Sequence, residues 1–402
     1  MRAVIALPAG SRSTAARRAS RLRPALFVCI VIFTGAACAG KKPAMDSPIA
    51  PTGNSEPSQG KTMRLRAYRC VDENGIGGEV FRMLVPADWK AESRIVWRLN
   101  VPSAPAAVSF RVWNPDGDEA FEGFPVIPLF WTDNPDLLRL FPQGSSYFGM
   151  EVREPCSIED ALLKIVFPRF RKGAANVRVL TRKPMPEVVE ALGLQERSPG
   201  GGVRFAATAA KVRVEYTLAG KEYTEDLLGV RESLRIPVQG MLAMTTNENW
   251  TLSYLVGMRA SRGQLDSRSG LFMTMASSIR LNREWFNRYV QLVEMLIQAQ
   301  IRNIRLTGDF SRLLAQTSAE ISEERMSAYE SRQRAYDRMS ENFSDYVRGV
   351  DRYTDADGNI VKLPSGYRNA WTNGLGEYIV SESEDYNPNI GSNQNWQPLK
   401  KD

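Results

Sequence analysis

The chain has 402 residues, with 52 lysines and arginines, 45 acidic residues and no histidine. Without histidine it cannot build a Ser-His-Asp or Cys-His catalytic arrangement or a histidine-ligated metal site. Six of the basic residues and none of the acids lie in residues 1–37, so the remainder carries 46 bases against 45 acids. A nucleic-acid-binding protein concentrates basic charge on one face, and this nearly neutral balance excludes that class.

Residues 1–37 have the organisation of an export signal. Six arginines precede an apolar stretch at 25–33, and small residues follow it up to Cys38. This order is typical of a secretory signal peptide, and the apolar stretch is shorter than the roughly 20 residues of a membrane-spanning helix. The sequence TGAAC at 34–38 resembles the lipobox of bacterial lipoproteins, in which the cysteine is acylated and becomes the first mature residue. The alternative is an ordinary signal peptide cut near Ala37, with Cys38 incidental.

Residues 38–62 are predicted to be a disordered tether behind the anchored cysteine. Residues 39–62 contain four prolines, three glycines and no aromatic residue. Such a composition cannot bury enough apolar surface to offset the entropy lost on ordering. A flexible chain of this length reaches about 25–30 Å, which would hold a folded domain clear of lipid headgroups.

Residues 63–282 are predicted to form one α+β domain. Apolar and polar residues alternate in short runs, and turn signals such as Asn74-Gly75 separate the runs. This is the pattern of antiparallel strands. Helical patterns at 157–167 and 267–280 are interspersed, so we expect a largely antiparallel sheet covered by helices. The predicted strands are 63–70, 79–85, 94–99, 108–113, 211–216, 221–227, 234–244 and 250–259.

Two segments of this domain resemble a known family. The sequence FRMLVPADW at 81–89 is similar to the strand-Pro-x-x-Trp opening of PsbP-like domains, which are α/β/α sandwiches. Residues 259–279 are similar to the ending of such domains, where a last strand leads into a helix laid across the sheet. PsbP-like domains mostly assist assemblies and rarely catalyse, so the resemblance implies an accessory or binding role.

The cysteines outside the signal allow one crosslink. With Cys29 removed and Cys38 acylated, Cys70 and Cys156 remain. An exported compartment is oxidising, so we expect a disulfide between them. Because it would close a long loop, this disulfide would stabilise the folded protein by about 4 kcal/mol. The alternative is two buried, unpaired thiols. Their wide spacing does not fit a thioredoxin-type redox motif.

Residues 283–350 are predicted to form a helical arm. Trp285, Tyr289 and Leu292 begin an apolar face with helical spacing, so the first helix should pack on the domain. Residues 310–348 lack proline and glycine, which allows a second helix about 60 Å long. Its narrow apolar seam predicts a coiled-coil contact with another helix or with a partner protein; the alternative is a helix folded back on its own domain. The seam consists of Met326, Tyr329, Tyr336, Met339, Phe343 and Tyr346.

Residues 351–402 are predicted to form a small β-hairpin tail, with turns at Asp357-Gly358 and Asn373-Gly374. The first turn mimics part of a calcium loop, but the first and last positions of that loop carry tyrosine and proline where carboxylates are needed. A plain hairpin turn is therefore the better interpretation. No other spacing in the sequence suggests a metal site or a cofactor, and we expect neither.

The tail also carries a family signature and a group of aromatic residues. The sequence LPSGY at 363–367, followed by Trp371 and by GEYI at 376–379, resembles the C-terminal signature of uncharacterised bacterial lipoproteins. That family has no assigned chemistry. Tyr367, Trp371 and Tyr378 lie among asparagines and would suit glycan recognition, because flat aromatic faces beside amides bind sugars. Cross-strand packing is the favoured alternative.

Together these patterns predict a lipid-anchored, extracytoplasmic protein of the bacterial envelope, in the outer membrane if the host has one. Its expected role is non-enzymatic: an accessory protein, held to the membrane through its lipid, that binds an envelope protein partner through the seam. Two alternatives come from other classes. One is an envelope hydrolase that uses paired carboxylates or a Ser-Lys pair, and the other is a carrier of a small apolar ligand.

Overall fold

The computed structural model describes residues 61–239, 244–305 and 349–402. Its strands are β1 (Thr62–Asp72), β2 (Gly78–Pro86), β3 (Lys90–Trp97), β4 (Ala106–Trp113), β5 (Ala120–Gly123), β6 (Ile127–Thr132), β7 (Ser146–Tyr147), β8 (Met150–Val152), β9 (Ala175–Pro184), β10 (Arg197–Gly200), β11 (Val203–Leu218), β12 (Lys221–Gln239), β13 (Met244–Ser261), β14 (Arg280–Leu281), β15 (Val350–Thr354), β16 (Ile360–Pro364), β17 (Asn369–Thr372), β18 (Tyr378–Ser381), β19 (Gln397–Pro398) and β20 (Lys400–Lys401). Its helices are α1 (Pro135–Leu140), α2 (Ile158–Ala161), α3 (Phe167–Phe170), α4 (Pro186–Ala191), α5 (Ser269–Ser277) and α6 (Arg283–Arg305).

An eleven-stranded sheet forms the larger part of the fold. Its main strand order is β10-β11-β12-β13-β5-β4-β3, with β9 beside β11 and β6 beside β13. Neighbours are antiparallel except for the short pair β6–β8. Together with the helices this confirms the predicted largely antiparallel α+β class, whereas the PsbP-like likeness stays a prediction.

The strands β12 and β13 are longer than the sequence predicts. The strands expected separately at 221–227 and from 234 onward join in the single strand β12, which has a bulge at Gly229. A β-carbon at Gly229 would lie 2.6 Å from Leu255 Cδ2, so a larger residue there would require the Leu255 side chain to shift. Opposite it, the buried Tyr254 has a φ of 52°, which a bulged strand tolerates and a regular strand does not.

Side chains alternate between the two faces of this sheet, and each face carries its own core. On one face, Val212 and Val214 pack in a cluster with Leu162 and Phe167 from the helical segment 158–170. On the opposite face, strands β12 and β13 pack in a larger cluster with α5, α6 and β2. The long sheet is therefore buried from both sides along much of its length.

The helical segment 158–170 matches the prediction in place but is not a regular helix. Ser157 Oγ accepts a hydrogen bond from the Asp160 N–H at 3.2 Å, as expected of an N-cap. Residues 162–166 then form a π turn, in which the Phe167 N–H donates to the Leu162 carbonyl. Pro168 follows directly inside this helical segment, where it supplies no N–H to the backbone ladder.

The C-terminal residues complete a second sheet, which has the strand order β14-β2-β1-β18-β17-β19. Strand β1 pairs with β2 on one side and with β18 on the other, from Thr62 opposite Ser381 to Leu65 opposite Tyr378. The predicted hairpins of the tail are present. The predicted β-hairpin tail of residues 351–402 therefore shares a sheet with β1, because β18 pairs with the edge of β1 that β2 leaves free.

Candidate functional site

The helix α6 is the part of the predicted arm that the structure describes, and it packs on the domain as expected. Trp285, Phe286, Tyr289 and Val293 recur at spacings of one, three and four, and each is buried. Met295 lies on the opposite side and is 59% exposed. Among the helices in the described part of the chain, none combines the length and apolar character needed to cross a membrane.

The buried carboxylate of Asp72, at the end of β1, joins α6 to the sheets. The Trp285 indole donates to Asp72 Oδ2 at 3.1 Å, and the Trp97 indole of β3 donates to Oδ1 at 3.1 Å. The Ile76 N–H donates to Oδ2 at 3.0 Å. We call Asp72, Trp97 and Trp285 the arm root. Because Asp72 is only 2% exposed, these three donors replace the water that a carboxylate otherwise needs.

Close aromatic packing surrounds the arm root. Trp285 and Tyr289 stack with their ring centroids 5.2 Å apart, and Trp97 lies 6.4 Å from both. Gly75 lies directly against Trp97: a β-carbon on Gly75 would be 2.0 Å from the indole nitrogen. The sequence marks Gly75 as a turn residue. It gives no signal that Asp72 and Trp97 meet Trp285, which is more than 180 residues away in the chain.

The described part of the chain resumes at Gly349, which contacts the folded core. Gly349, with a φ of 137°, lies against Gly270 at the start of α5. A β-carbon on Gly270 would be 2.3 Å from the Gly349 carbonyl oxygen, so both positions need glycine. The predicted partner seam (Met326 to Tyr346) and the predicted lipidation site Cys38 lie outside the described residues.

The structure does not bring the three tail aromatics onto one surface. Tyr367 is buried in the larger core. Trp371 pairs with Ile379 and Tyr378 pairs with Thr372, so Trp371 and Tyr378 point to opposite faces of the sheet. Trp371 contacts Tyr386 edge-to-face at 5.5 Å. The proposed recognition surface is therefore corrected, and the aromatics pack within the fold.

The structure also corrects the predicted disulfide, because Cys70 and Cys156 are free. Cys70 is buried in the larger core, and Cys156 packs against the smaller one on the other side of the long sheet. Burial raises the pKa of Cys70 to about 11. Burial also raises the pKa of Cys156, and the nearby Asp160 carboxylate adds to that effect.

A buried ion cluster around Arg171 was not foreseen from the sequence. Its guanidinium contacts Glu225 and Glu122, with Nε 2.8 Å from Glu225 Oε2, and the Tyr216 hydroxyl donates to Glu225 at 2.7 Å. The side chains of Arg171 and Glu225 are 4% and 0% exposed. Burial and the Glu225 charge raise the pKa of Tyr216. The Arg171 side chain also lies over the Phe124 ring at 5.2 Å.

This cluster fixes the helical segment 158–170 over the smaller core, because Arg171 directly follows α3 and Glu225 lies on β12. Two carboxylates converge here, as a histidine-free hydrolase would require. Both form ion pairs with the same guanidinium, and Glu122 also pairs with Arg111, which suits a structural ion cluster better than an acid–base pair. Within the described residues, no group of three or more acidic or cysteine side chains is placed to hold a metal ion.

Comparisons with known proteins give little support for any assignment. No family model matches the chain, and no curated protein matches it. Among solved structures, the crystal structure of MucB in complex with MucA(peri) is similar at 12% identity. That likeness covers 56% of this chain and 93% of the other, with a TM-score of 0.09. A score this low carries no argument about fold or function.

We predict that the two thiols react at different rates in the folded protein. At pH 8 a maleimide should modify the half-buried Cys156 well before Cys70, because a thiol with a pKa of about 11 is almost entirely protonated there. Peptide mass mapping of a chain carrying Cys38→Ser would measure both rates, and urea should make them equal. Thiols that react only after a reductant is added would instead show a disulfide.

We predict that Arg171→Met destabilises the protein by about 3–5 kcal/mol, because it leaves Glu225 buried without its countercharge. Denaturant unfolding would measure this loss. The matched control is Arg139→Met, which breaks an ion pair whose partners are both 79% exposed and should leave the midpoint nearly unchanged. Adding Glu225→Gln and Glu122→Gln to Arg171→Met should recover part of the loss. An Arg171→Met variant as stable as the surface control would contradict the account.

Proposed function

We propose that this chain is a lipid-anchored envelope protein with a non-enzymatic accessory role, which binds an envelope protein partner through residues 306–348. The family resemblance of its tail to uncharacterised lipoproteins and the PsbP-like resemblance of its domain point the same way. The export signal, the cysteine at its end and the proline-rich tether supply the anchoring part of the proposal.

The observation that supports the binding part is that the described residues on both sides of 306–348, in α6 and from Gly349 onward, pack on the folded core. On the N-terminal side, α6 is fixed through Trp285 and the buried Asp72. On the C-terminal side, Gly349 is wedged against Gly270. Because both flanking regions belong to one folded core, we expect the ordering of residues 306–348 on binding to cost less entropy than the ordering of a free chain end.

The packing of the long sheet favours this role over the two alternatives. A carrier or a hydrolase needs an open cavity, and such cavities are usually largely preformed. Here, each face of the central strands β11–β13 is covered by side chains of the same chain. Histidine-free catalysis would also need a free acid–base pair, and the carboxylates of Glu122 and Glu225 are already held in ion pairs with Arg171.

The anchoring part is tested by cell fractionation of two matched variants. Cys38→Ser should release the protein from the membrane fraction and abolish labelling by a fatty acid analogue. Cys29→Ser removes a cysteine from the apolar stretch of the same signal and should change neither result. Membrane retention of Cys38→Ser would overturn the lipid anchor.

The binding part is tested by recovering the protein from native membranes in mild detergent. A stoichiometric companion should accompany the wild-type protein and be lost when Tyr329, Tyr336 and Phe343 of the seam are changed to serine. The control changes Arg334 and Glu341 to serine, which lie off the seam and leave the net charge unchanged. Recovery of the wild-type protein alone, or equal loss in both variants, would contradict the proposal.

A further inference from the structure

Arg259, on β13, is a buried arginine that contacts no acid in the described part of the chain. The residue is 9% exposed, and its Nε is sealed from solvent without a hydrogen-bond acceptor. Among the described residues, none accepts a hydrogen bond from its guanidinium or forms an ion pair with it. Its Cζ lies 4.6 Å from the centroid of the Tyr223 ring. An aromatic face attracts the cation, but the N–H donors still lack acceptors.

The pairing register places Arg259 beside the ion cluster around Arg171. Arg259 pairs with Glu225 of β12 on one side and with Ala120 of β5 on the other, so these side chains share one face of the sheet. Gly257 precedes Arg259 by two residues on the same face, and a β-carbon there would be 2.4 Å from Glu225 Oε1. The Arg259 side chain therefore lies next to the cluster without joining it.

The charges around Arg259 do not balance. Three carboxylates influence its charge or are influenced by it, and each already contacts another cation. These contacts are Asp118 with Lys221, Glu122 with Arg111 and Arg171, and Glu225 with Arg171. With Arg259, this group of described residues holds four cations and three carboxylates, so one positive charge lacks a counter-ion. Burial lowers the pKa of Arg259, but the nearby Tyr216 and the carboxylates raise it on balance, so the side chain stays charged.

The position of Arg259 in the sheet lets a ligand approach from solvent. Arg259 lies two residues before the end of β13, and Tyr223 lies two residues after the start of β12. Lys221, the first residue of β12, has a side chain that is 61% exposed. The site is therefore at one end of the sheet, where an anionic group needs no deep cavity to meet the guanidinium.

The chemistry of the guanidinium defines the class of ligand. A buried charge without a counter-ion opposes folding, so an external anion that supplies the missing charge would stabilise the native state. The planar group presents paired N–H donors, which match the two oxygens of a carboxylate or a phosphate. Both properties favour an oxyanion.

We propose that Arg259 binds the anionic group of a small ligand, a carboxylate or a phosphate, at this end of the sheet. The guanidinium would donate two parallel hydrogen bonds to the anion, and the Tyr223 ring would hold the guanidinium in place. The site is separate from residues 306–348 and does not depend on the function proposed above. The alternative is an arginine that only packs over Tyr223, and the experiment distinguishes the two.

The test follows the thermal unfolding midpoint of the full-length protein while chloride is replaced by phosphate or by acetate at constant ionic strength. An anion that binds only the native state raises the midpoint as its concentration exceeds the dissociation constant. A phosphate site should respond at lower phosphate than acetate concentrations, and a carboxylate site should show the reverse order. Phosphate also stabilises proteins without binding a site, so the response is compared between variants.

Two matched variants separate the site from general charge effects. Arg259→Gln should lose most of the wild-type response to the anion. Arg94→Gln removes an exposed arginine from β3 of the same sheet and should keep that response. Arg259→Lys keeps the charge without the paired donors and should weaken binding about five-fold. Equal responses of Arg259→Gln and Arg94→Gln would overturn the proposal.

Two further measurements separate binding from packing. In chloride alone, Arg259→Gln should unfold close to the wild-type midpoint, because it removes an uncompensated buried charge; a loss as large as that expected for Arg171→Met would favour the packing role. In wild-type protein labelled with ¹⁵N-arginine, the Arg259 Nε–H resonance should shift as the anion is added. The Arg171 Nε–H, already bonded to Glu225, should stay in place. An Arg259 resonance that does not move would overturn the proposal.

Discussion

The carboxylate of Asp72 links three parts of the chain that are far apart in sequence. It ends β1, and it accepts hydrogen bonds from the indoles of Trp97 in β3 and Trp285 in α6. A buried carboxylate without these donors would carry a large desolvation penalty. The three donors therefore fix the distance between the two sheets and the first turn of α6. The predicted arm begins from this point.

The pairing of β1 gives the fold a second constraint. Strand β1 begins at Thr62, which is paired with Ser381 of the C-terminal part of the chain. The same strand pairs with β2 along its other side. If the predicted tether transmits a pull, the force would act on a strand that is paired on both sides. The tail is thus part of the core, and a protein truncated before β18 would lose one side of β1.

The sequence predicted the local elements better than their associations. Alternation identified β1–β4 and β11–β13 but missed β5–β10, and the Asp357-Gly358 and Asn373-Gly374 turns identified both tail hairpins. The bulge at Gly229, which lets β12 continue past the end of the predicted strand 221–227, was not predicted. The spacing of Trp285 and Tyr289 predicted the buried face of α6 correctly.

The interactions that join distant segments could not be predicted in this way. Arg171 and Glu225 are 54 residues apart, and in sequence each looks like an ordinary surface charge. Asp72 and Trp285 are separated by 213 residues. Likewise, the two cysteines suggested a disulfide, but opposite faces of one sheet keep them apart. Such contacts are set by the topology of the sheets, and local periodicity contains no information about them.

Native-state hydrogen exchange of α6 tests most directly whether the arm root ties this helix to the core. The account predicts that the buried-face amides of the wild-type helix exchange only with global unfolding, as do the amides of β12 and β13. Asp72→Asn, which leaves at least one indole without its acceptor, should let them exchange through a local opening. Wild-type α6 amides that exchange far more readily than those of β12 would contradict the account, because the helix would then open independently of the core.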